Sequence, residues 1–239
     1  MKQFIILSLI SFILSNVTAQ TAASIIDQYF EATGGKTLWA KVHSIKSKGH
    51  YVMGPGALAP VSQFISKENN YSDFTWNGMT SKNARKGNTG WSYSPFGGKR
   101  IADPMTPDII RMHKLLEDPQ GLIYDYSTKG FVVEYLGVED FDGTDVHKIR
   151  LITNDGDMVY YYFDKESHYL LKIYMRIKLS DKEEKVTTNF SDFKKTNFGI
   201  ILPFANNWVT DTGEEGGLTQ FNEREVNTTI DPAILEMPK

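Results

Sequence analysis

The residues of this chain with chemistry in reach are five histidines, a surplus of carboxylates and a few glycine-rich turns. His43, His50, His113, His147 and His168 are scattered. No two fall at i, i+3 or i+4 on an expected helix and no H-E-x-x-H occurs, so the sequence offers no metal centre. Asn154-Asp155-Gly156-Asp157 is rich in oxygen ligands, but it lacks the twelve-residue spacing and closing Glu of an EF-hand and reads as a hairpin turn. Gly90-Trp91-Ser92-Tyr93-Ser94 has serine where the nucleophile elbow G-x-S-x-G needs its second glycine, and it lies in a strand pattern. Gly97-Gly98-Lys99 lacks the spacing of a phosphate loop, and Gly34-Gly35-Lys36 reads as a helix stop. A carboxylate pair for glycoside hydrolysis is defined by distance in space, so Asp73, Asp125 and Glu134 stay open as members of one. No cofactor motif is present, and the reading is non-catalytic.

The elements that would have to position any site follow from composition and period. The chain has 239 residues, 41% of them hydrophobic and 23% charged, which is ordinary for a globular protein and excludes wholesale disorder. With 26 Lys+Arg against 29 Asp+Glu the net charge is −3, which argues against an electrostatic nucleic-acid binder. There is no cysteine, hence no disulfide, thiolate metal site or lipidated cysteine.

The first nineteen residues read as a secretory signal peptide. Lys2 is the positive start, Phe4 to Leu14 is apolar except for two serines, and Val17 and Ala19 form a small-residue cleavage site. The apolar run is too short to span a bilayer, which needs roughly 20 residues, and no later segment of the chain is long and apolar enough. The expected mature chain, residues 20–239, is one domain, exported and periplasmic or peripheral to an outer membrane.

Ala22 to Thr33 carries Ile25, Ile26, Tyr29 and Phe30 on one helical stripe, stopped by Gly34-Gly35. Lys36 to Val42 adds a short turn with Trp39. From His43 the period changes to two, with turn signals about every ten residues, as in an antiparallel meander. The expected strands include Tyr169 to Leu179, with Leu171, Ile173, Met175 and Ile177 on one face, and separate strands Ile200 to Phe204 and Asn206 to Thr210. Met158 to Phe163 is apolar or aromatic on both faces and needs cover on both, either from a packed core on each side or from the N-terminal helix on one and a lid or ligand on the other. Thr106 to Asp118 interrupts the strands with a helix capped by Thr106 and opened by Pro107. The fold class is therefore mainly β (α+β): a long curved antiparallel sheet forming an incomplete β-barrel, with an N-terminal helix and an inserted lid helix.

The order of short motifs resembles a known family. It runs from Gly34-Gly35 and Trp39 through Thr89-Gly90-Trp91-Ser92-Tyr93-Ser94-Pro95-Phe96-Gly97-Gly98 to Pro104-Met105-Thr106 at a helix start. It continues with Gly121-Leu122-Ile123-Tyr124-Asp125-Tyr126, Asp142-Gly143-Thr144-Asp145-Val146-His147-Lys148-Ile149, Tyr161-Tyr162-Phe163-Asp164 and Phe190-Ser191-Asp192-Phe193. It closes on Leu202-Pro203-Phe204, Asn227 and Met237-Pro238. This is similar to bacterial outer-membrane lipoprotein-sorting proteins, relatives in fold of the Lol lipoprotein carriers. The resemblance implies a half-barrel with helices over an apolar cavity that takes acyl chains. Without a cysteine for a lipid anchor, it implies a soluble carrier, or something different on the same fold.

The expected function is a periplasmic carrier whose partner is a lipid or a lipoprotein acyl chain, with no cofactor. The candidate binding residues are Trp91, Tyr93 and Phe96 at the rim, Ile109, Ile110, Met112 and Leu116 on the lid, and Met175 and Ile177 on the concave face if strand parity places them there. The alternatives are a non-catalytic interaction module of an envelope complex with a protein partner, and, after it, an envelope glycan or lipid hydrolase.

Overall fold

A reciprocal cap starts the first helix. The Thr21 hydroxyl accepts from Ser24 N at 3.1 Å, and Ser24 Oγ accepts from Thr21 N at 3.0 Å. Helix α1 (Ala22–Ala32) buries Ile25, Ile26 and Phe30 as its stripe requires, each contributing about 1.5–3 kcal/mol of apolar burial. Gly34, at φ +127°, turns the chain beside the Ile200 backbone, where a Cβ would come within 3.1 Å of Ile200 Cα. Helix α2 (Lys36–Trp39) follows, and Trp39 Nε1 donates to Thr33 Oγ1 at 3.0 Å. The computed structural model describes residues 21–98, 100–209 and 215–238. The expected leader, residues 1–19, and Thr210 lie outside them.

The strands are β1 (Ser44–Gly54), β2 (Ala57–Ser66), β3 (Asn69–Trp76), β4 (Met79–Lys86), β5 (Thr89–Tyr93), β6 (Asp103–Pro104), β7 (Val132–Phe141), β8 (Thr144–Ile152), β9 (Met158–Asp164), β10 (Leu170–Lys178), β11 (Glu183–Lys195), β12 (Ile201–Val209) and β13 (Glu215–Val226). They form one antiparallel sheet in the order β6-β5-β4-β3-β2-β1-β13-β12-β11-β10-β9-β8-β7. It is two meanders joined where β1 pairs with β13. Asn77-Gly78 and Asp142-Gly143 make tight turns with positive φ at both residues, the geometry that suits right-twisted hairpins. The sheet does not close, because β6 and β7 are its two edges. The architecture is thus an open half-barrel. None of the described helices is long and apolar enough to cross a membrane.

This strand order dictates what covers the concave face. The chain leaves the sheet at one edge, β6, and re-enters at the opposite edge, β7, so the connection must cross the open side. It contains helix α3 (Pro107–Leu116), with Thr106 Oγ1 accepting from Ile109 N at 3.4 Å and Pro at the first helical position. Beneath it lies the main core, built from α1, Trp39 and inward residues of β8 to β10 and β12, among them Ile149, Leu151, Val159, Phe163 and Phe204. A smaller cluster of Ala84, Trp91 and Leu235 fastens a C-terminal turn, 232–235, to the outer strands.

Three local expectations change. Leu170, not Leu171, reaches the cavity, because an irregularity between Leu170 and Lys172 in the β9–β10 register shifts the alternation there. Residues 201–209 form one strand rather than two, since Ala205, at the expected break, pairs with both Ser191 and Gln220. The aromatic strand β9 meets helix and cavity on the same face: Phe163 lies 5.2 Å from the Tyr29 ring, and Tyr161 lines the cavity. Its other face is covered by cations, with Lys148 Nζ 5.6 Å from Tyr160 and both Lys148 and Lys172 within about 5 Å of Tyr162.

Candidate functional site: a covered cavity on the concave face

The concave face holds a cavity of about 440 Å³, within the roughly 300–1,000 Å³ typical of small-ligand sites. Its walls are largely apolar: Ile45 from β1, Val159 from β9, Ile173 and Met175 from β10, Leu202 from β12 and Phe221 from β13. The nine consecutive residues Leu115 to Ile123 form one side. Leu116 and Trp208 line the cavity while being 41% and 45% exposed, which marks its mouth.

The cover is therefore less the apolar face of α3 than the strap that continues from its C-terminus. Gln120 Nε2 donates to Trp39 O at 2.8 Å, and Asn70 Nδ2 donates to Glu117 O at 3.2 Å. Lys129 Nζ pairs with Asp118 at 3.1 Å and also donates to Gly121 O at 3.0 Å. From the middle of the helix, Arg111 donates to Asp157 Oδ2 and, at 2.6 Å, to Lys178 O. The strap is tied to both halves of the sheet through side chains rather than through a backbone ladder.

Of the nine expected binding residues, Leu116 and Met175 line the cavity. Ile177 is buried in the core, and Met112 packs against that core. Ile110 is half-buried and Ile109 is exposed. Trp91 and Tyr93 belong to the small cluster under the C-terminal turn, where Trp91 Nε1 donates to Leu235 O at 2.9 Å. Phe96 stands edge-on to Phe74 with ring centroids 5.7 Å apart. The open carboxylates have other engagements: Asp73 accepts from Ser62 Oγ at 2.8 Å and Glu134 is paired with Arg150. Asp125 is exposed at φ +47°. None of these three lines the cavity. Among the described residues, no three His, Asp or Glu side chains gather as a metal site would require.

Sequence reasoning missed the polar part of the wall. Phe221 and Arg224 are three apart on β13, so strict alternation puts them on opposite faces. The register between β1 and β13 shifts between Lys48 and Gly49, skipping Asn222, and both side chains reach the cavity. Gly49 allows this, because a Cβ there would sit 1.9 Å from Gln220 O. Arg224 Nε donates to Ser47 Oγ at 3.1 Å, Nη1 donates to Pro203 O at 2.6 Å, and the guanidinium lies 5.1 Å from the Phe221 ring centre. Burial lowers its pKa to about 10, partly offset by the nearby Tyr29 phenol. Burial also pushes the Tyr29 and Tyr161 phenols well above their ordinary value.

Comparison with solved structures identifies the fold. A LolA-superfamily protein of Nitrosomonas europaea superposes with a TM-score of 0.54 at 14% identity, over 91% of this chain and 98% of that one. A putative outer-membrane lipoprotein-sorting protein domain of Vibrio parahaemolyticus gives 0.52 at 13%, over 88% and 94%. A DUF1329 family protein of Desulfovibrio piger gives 0.54 at 12%, over 90% and 96%. The chain has the Lol-like lipoprotein-sorting fold. Its sequence matches no family model and no curated protein.

Proposed function

We propose that this protein is an exported, periplasmic carrier that holds a lipid or lipoprotein acyl chain in the strap-covered cavity. The observation that carries the reading is the cavity itself, an apolar space under a cover held mainly by side-chain contacts. The fold it shares with LolA-superfamily and lipoprotein-sorting structures supports it, and the leader-like Phe4 to Leu14 run supports export. Burying a fourteen-carbon chain at about 0.8 kcal/mol per CH₂ supplies roughly 11 kcal/mol before entropy and reorganisation costs, so no catalytic group is needed. The binding residues are Leu116 and Met175 with Ile45, Ile173, Leu202 and Phe221.

A protein-interaction module is the second reading. The open β7 edge favours it, since Val132 and Val138 there are 63% and 47% exposed. Native mass spectrometry of protein purified without detergent from an envelope-containing host, followed by solvent extraction, separates the two. A discrete co-purifying lipid is expected. Lipid-free protein that also fails to take up added acyl chains, but captures a stoichiometric protein partner, overturns the carrier reading in favour of the second.

A further inference from the structure

We infer that Arg224, with Tyr29 and Tyr161, reads an anionic head inside the cavity, so that the ligand is an acyl chain ending in a carboxylate or phosphate and seated head inward. This rests on the acyl-binding reading and narrows it.

An arginine buried for structure alone is illustrated by Arg85 in the same protein. It is 1% exposed, and it donates to Glu68 O at 3.1 Å, Gly87 O at 3.0 Å and Lys67 O at 3.2 Å, and also to Asn70 Oδ1. Arg224 is different. Of its five N–H groups, Nε and Nη1 give one bond each, to Ser47 and Pro203. Like Arg85 it makes no ion pair among the described residues, but where both terminal nitrogens of Arg85 are taken up by acceptors, Nη2 of Arg224 has no protein acceptor among them. The Tyr29 and Tyr161 hydroxyls line the same cavity without a protein partner among the described residues. Tyr29 lies near enough to both the guanidinium and the Tyr161 phenol to feel them electrostatically, and Tyr161 also feels Asp118. A buried cation lacking a counter-ion is costly unless something supplies one. The two carboxylates that also line the cavity have cationic neighbours of their own, Asp118 with Lys129 at 3.1 Å and Glu117 with His113 at 3.0 Å, which leaves three donors for an anionic head. Hydrogen bonds to charged groups in a low dielectric are the strong ones.

The rest of the wall fixes the direction. Pro203, which accepts from Arg224, and Trp208, at the mouth, are five residues apart on β12, about 17 Å along a strand. A head on Arg224 lays its tail along Leu202, Ile173 and Met175 toward that mouth. A lipoprotein cannot bind this way, because its head is attached to a polypeptide that must stay outside. A free fatty acid or a lysophospholipid can.

The delipidated full-length mature chain is titrated with palmitate, methyl palmitate and 1-palmitoyl lysophosphatidate, read by displacement of an uncharged fluorescent lipid. An anionic ligand should bind on the order of 10- to 100-fold more tightly than the methyl ester, and the tighter of the two acids names the head. Arg224→Gln should erase the difference while leaving ester binding in place, and Arg224→Lys should keep part of it. Thermal melts check that both variants fold, and the wild-type comparison of acid with ester decides without them. Equal binding of acid and ester overturns the inference and leaves the carrier reading standing. Failure of all three ligands to bind overturns both.

Discussion

Arg111 on α3 pins the cover to Asp157, a carboxylate with 0% side-chain exposure in the turn between β8 and β9. Asp157 also accepts from Lys178 N at 2.9 Å and Thr153 Oγ1 at 3.1 Å, so one buried group organises the turn, the end of β10 and the helix. Arg111→Ala leaves that carboxylate short of its cation, at an expected cost of about 1–3 kcal/mol. Thermal unfolding should show a lower Tm, and amide exchange should speed up across residues 107–116 more than in β8 to β10. Unchanged exchange in the helix would show that the pair does not hold the cover.

The strap, not the outer face of α3, should control ligand binding. Leu116 lines the cavity and Ile110 does not. Leu116→Asp places a charge at the mouth and should weaken acyl-chain affinity roughly tenfold or more, given about 1.5–3 kcal/mol for burying a leucine. Ile110→Asp should leave affinity within about twofold, an energy difference below RT. Equal losses in both variants would move the site onto the helix face.

Filling the cavity should separate binding from stability. Ile173 is half-buried and lines the cavity. Ile173 also packs against the main core, but Ile173→Trp can direct its added volume into the cavity, so acyl binding should drop while Tm stays within a few degrees. A collapse of Tm would show that Ile173 is locked in the core instead.

Trp91 should matter for stability alone. Its indole N–H meets Leu235 O at 2.9 Å in the small cluster. Trp91→Phe removes that donor and should cost about 1–2 kcal/mol in chemical denaturation by stranding a buried carbonyl. Acyl affinity should not change, and a loss of affinity in a folded Trp91→Phe protein would return this residue to the rim.

Stability should fall in mild acid. The His147 pKa is lowered by burial first, then by the charges of Lys165 and His168, and Nδ1 lies 3.0 Å from the Tyr135 hydroxyl. The unfolded chain therefore holds more protons than the fold just below the ordinary histidine value of about 6.5. The contribution is complete above that pH and is lost as pH drops through the lowered folded value. Denaturant midpoints from pH 7.5 to 5 should show this slope, and His147→Gln should flatten it.

The sheet, α1, α3 and the Thr106 cap were legible because period and turn chemistry are local, whereas the Thr21–Ser24 cap of α1 was not read from the sequence. Ile25, Ile26 and Phe30 announce α1, and Thr106-Pro107 opens α3. The site was less legible, and for one physical reason. Side-chain direction in a strand depends on every residue before it, so an irregularity near Leu171 and a skipped Asn222 invert the local parity without altering composition. That is why Leu170 and Arg224 were not read as facing the cavity, whereas Met175, whose face was left open, does line it. Gly49 opposite β13 was the available signal for the second of these, since glycine inside a strand often marks a bulge or a close approach of backbones. The strap was hidden differently. Pro119, Gln120 and Gly121 look like an ordinary helix stop, and only the pairing of β1 with β13 forces them across the open side.

Because the connection leaves at β6 and returns at β7, the sheet behaves as a bow and the strap as its string. Edge separation and cover tension are then one mechanical coordinate. An occupant that flattens the sheet draws the string taut over itself, and a sheet that curls tighter slackens it. Paired spin labels on β5 and β7 would follow that coordinate directly as ligand is added. Release need not involve a hinge in the cover at all, because a force that bends the sheet from its convex side slackens the string and uncovers the mouth.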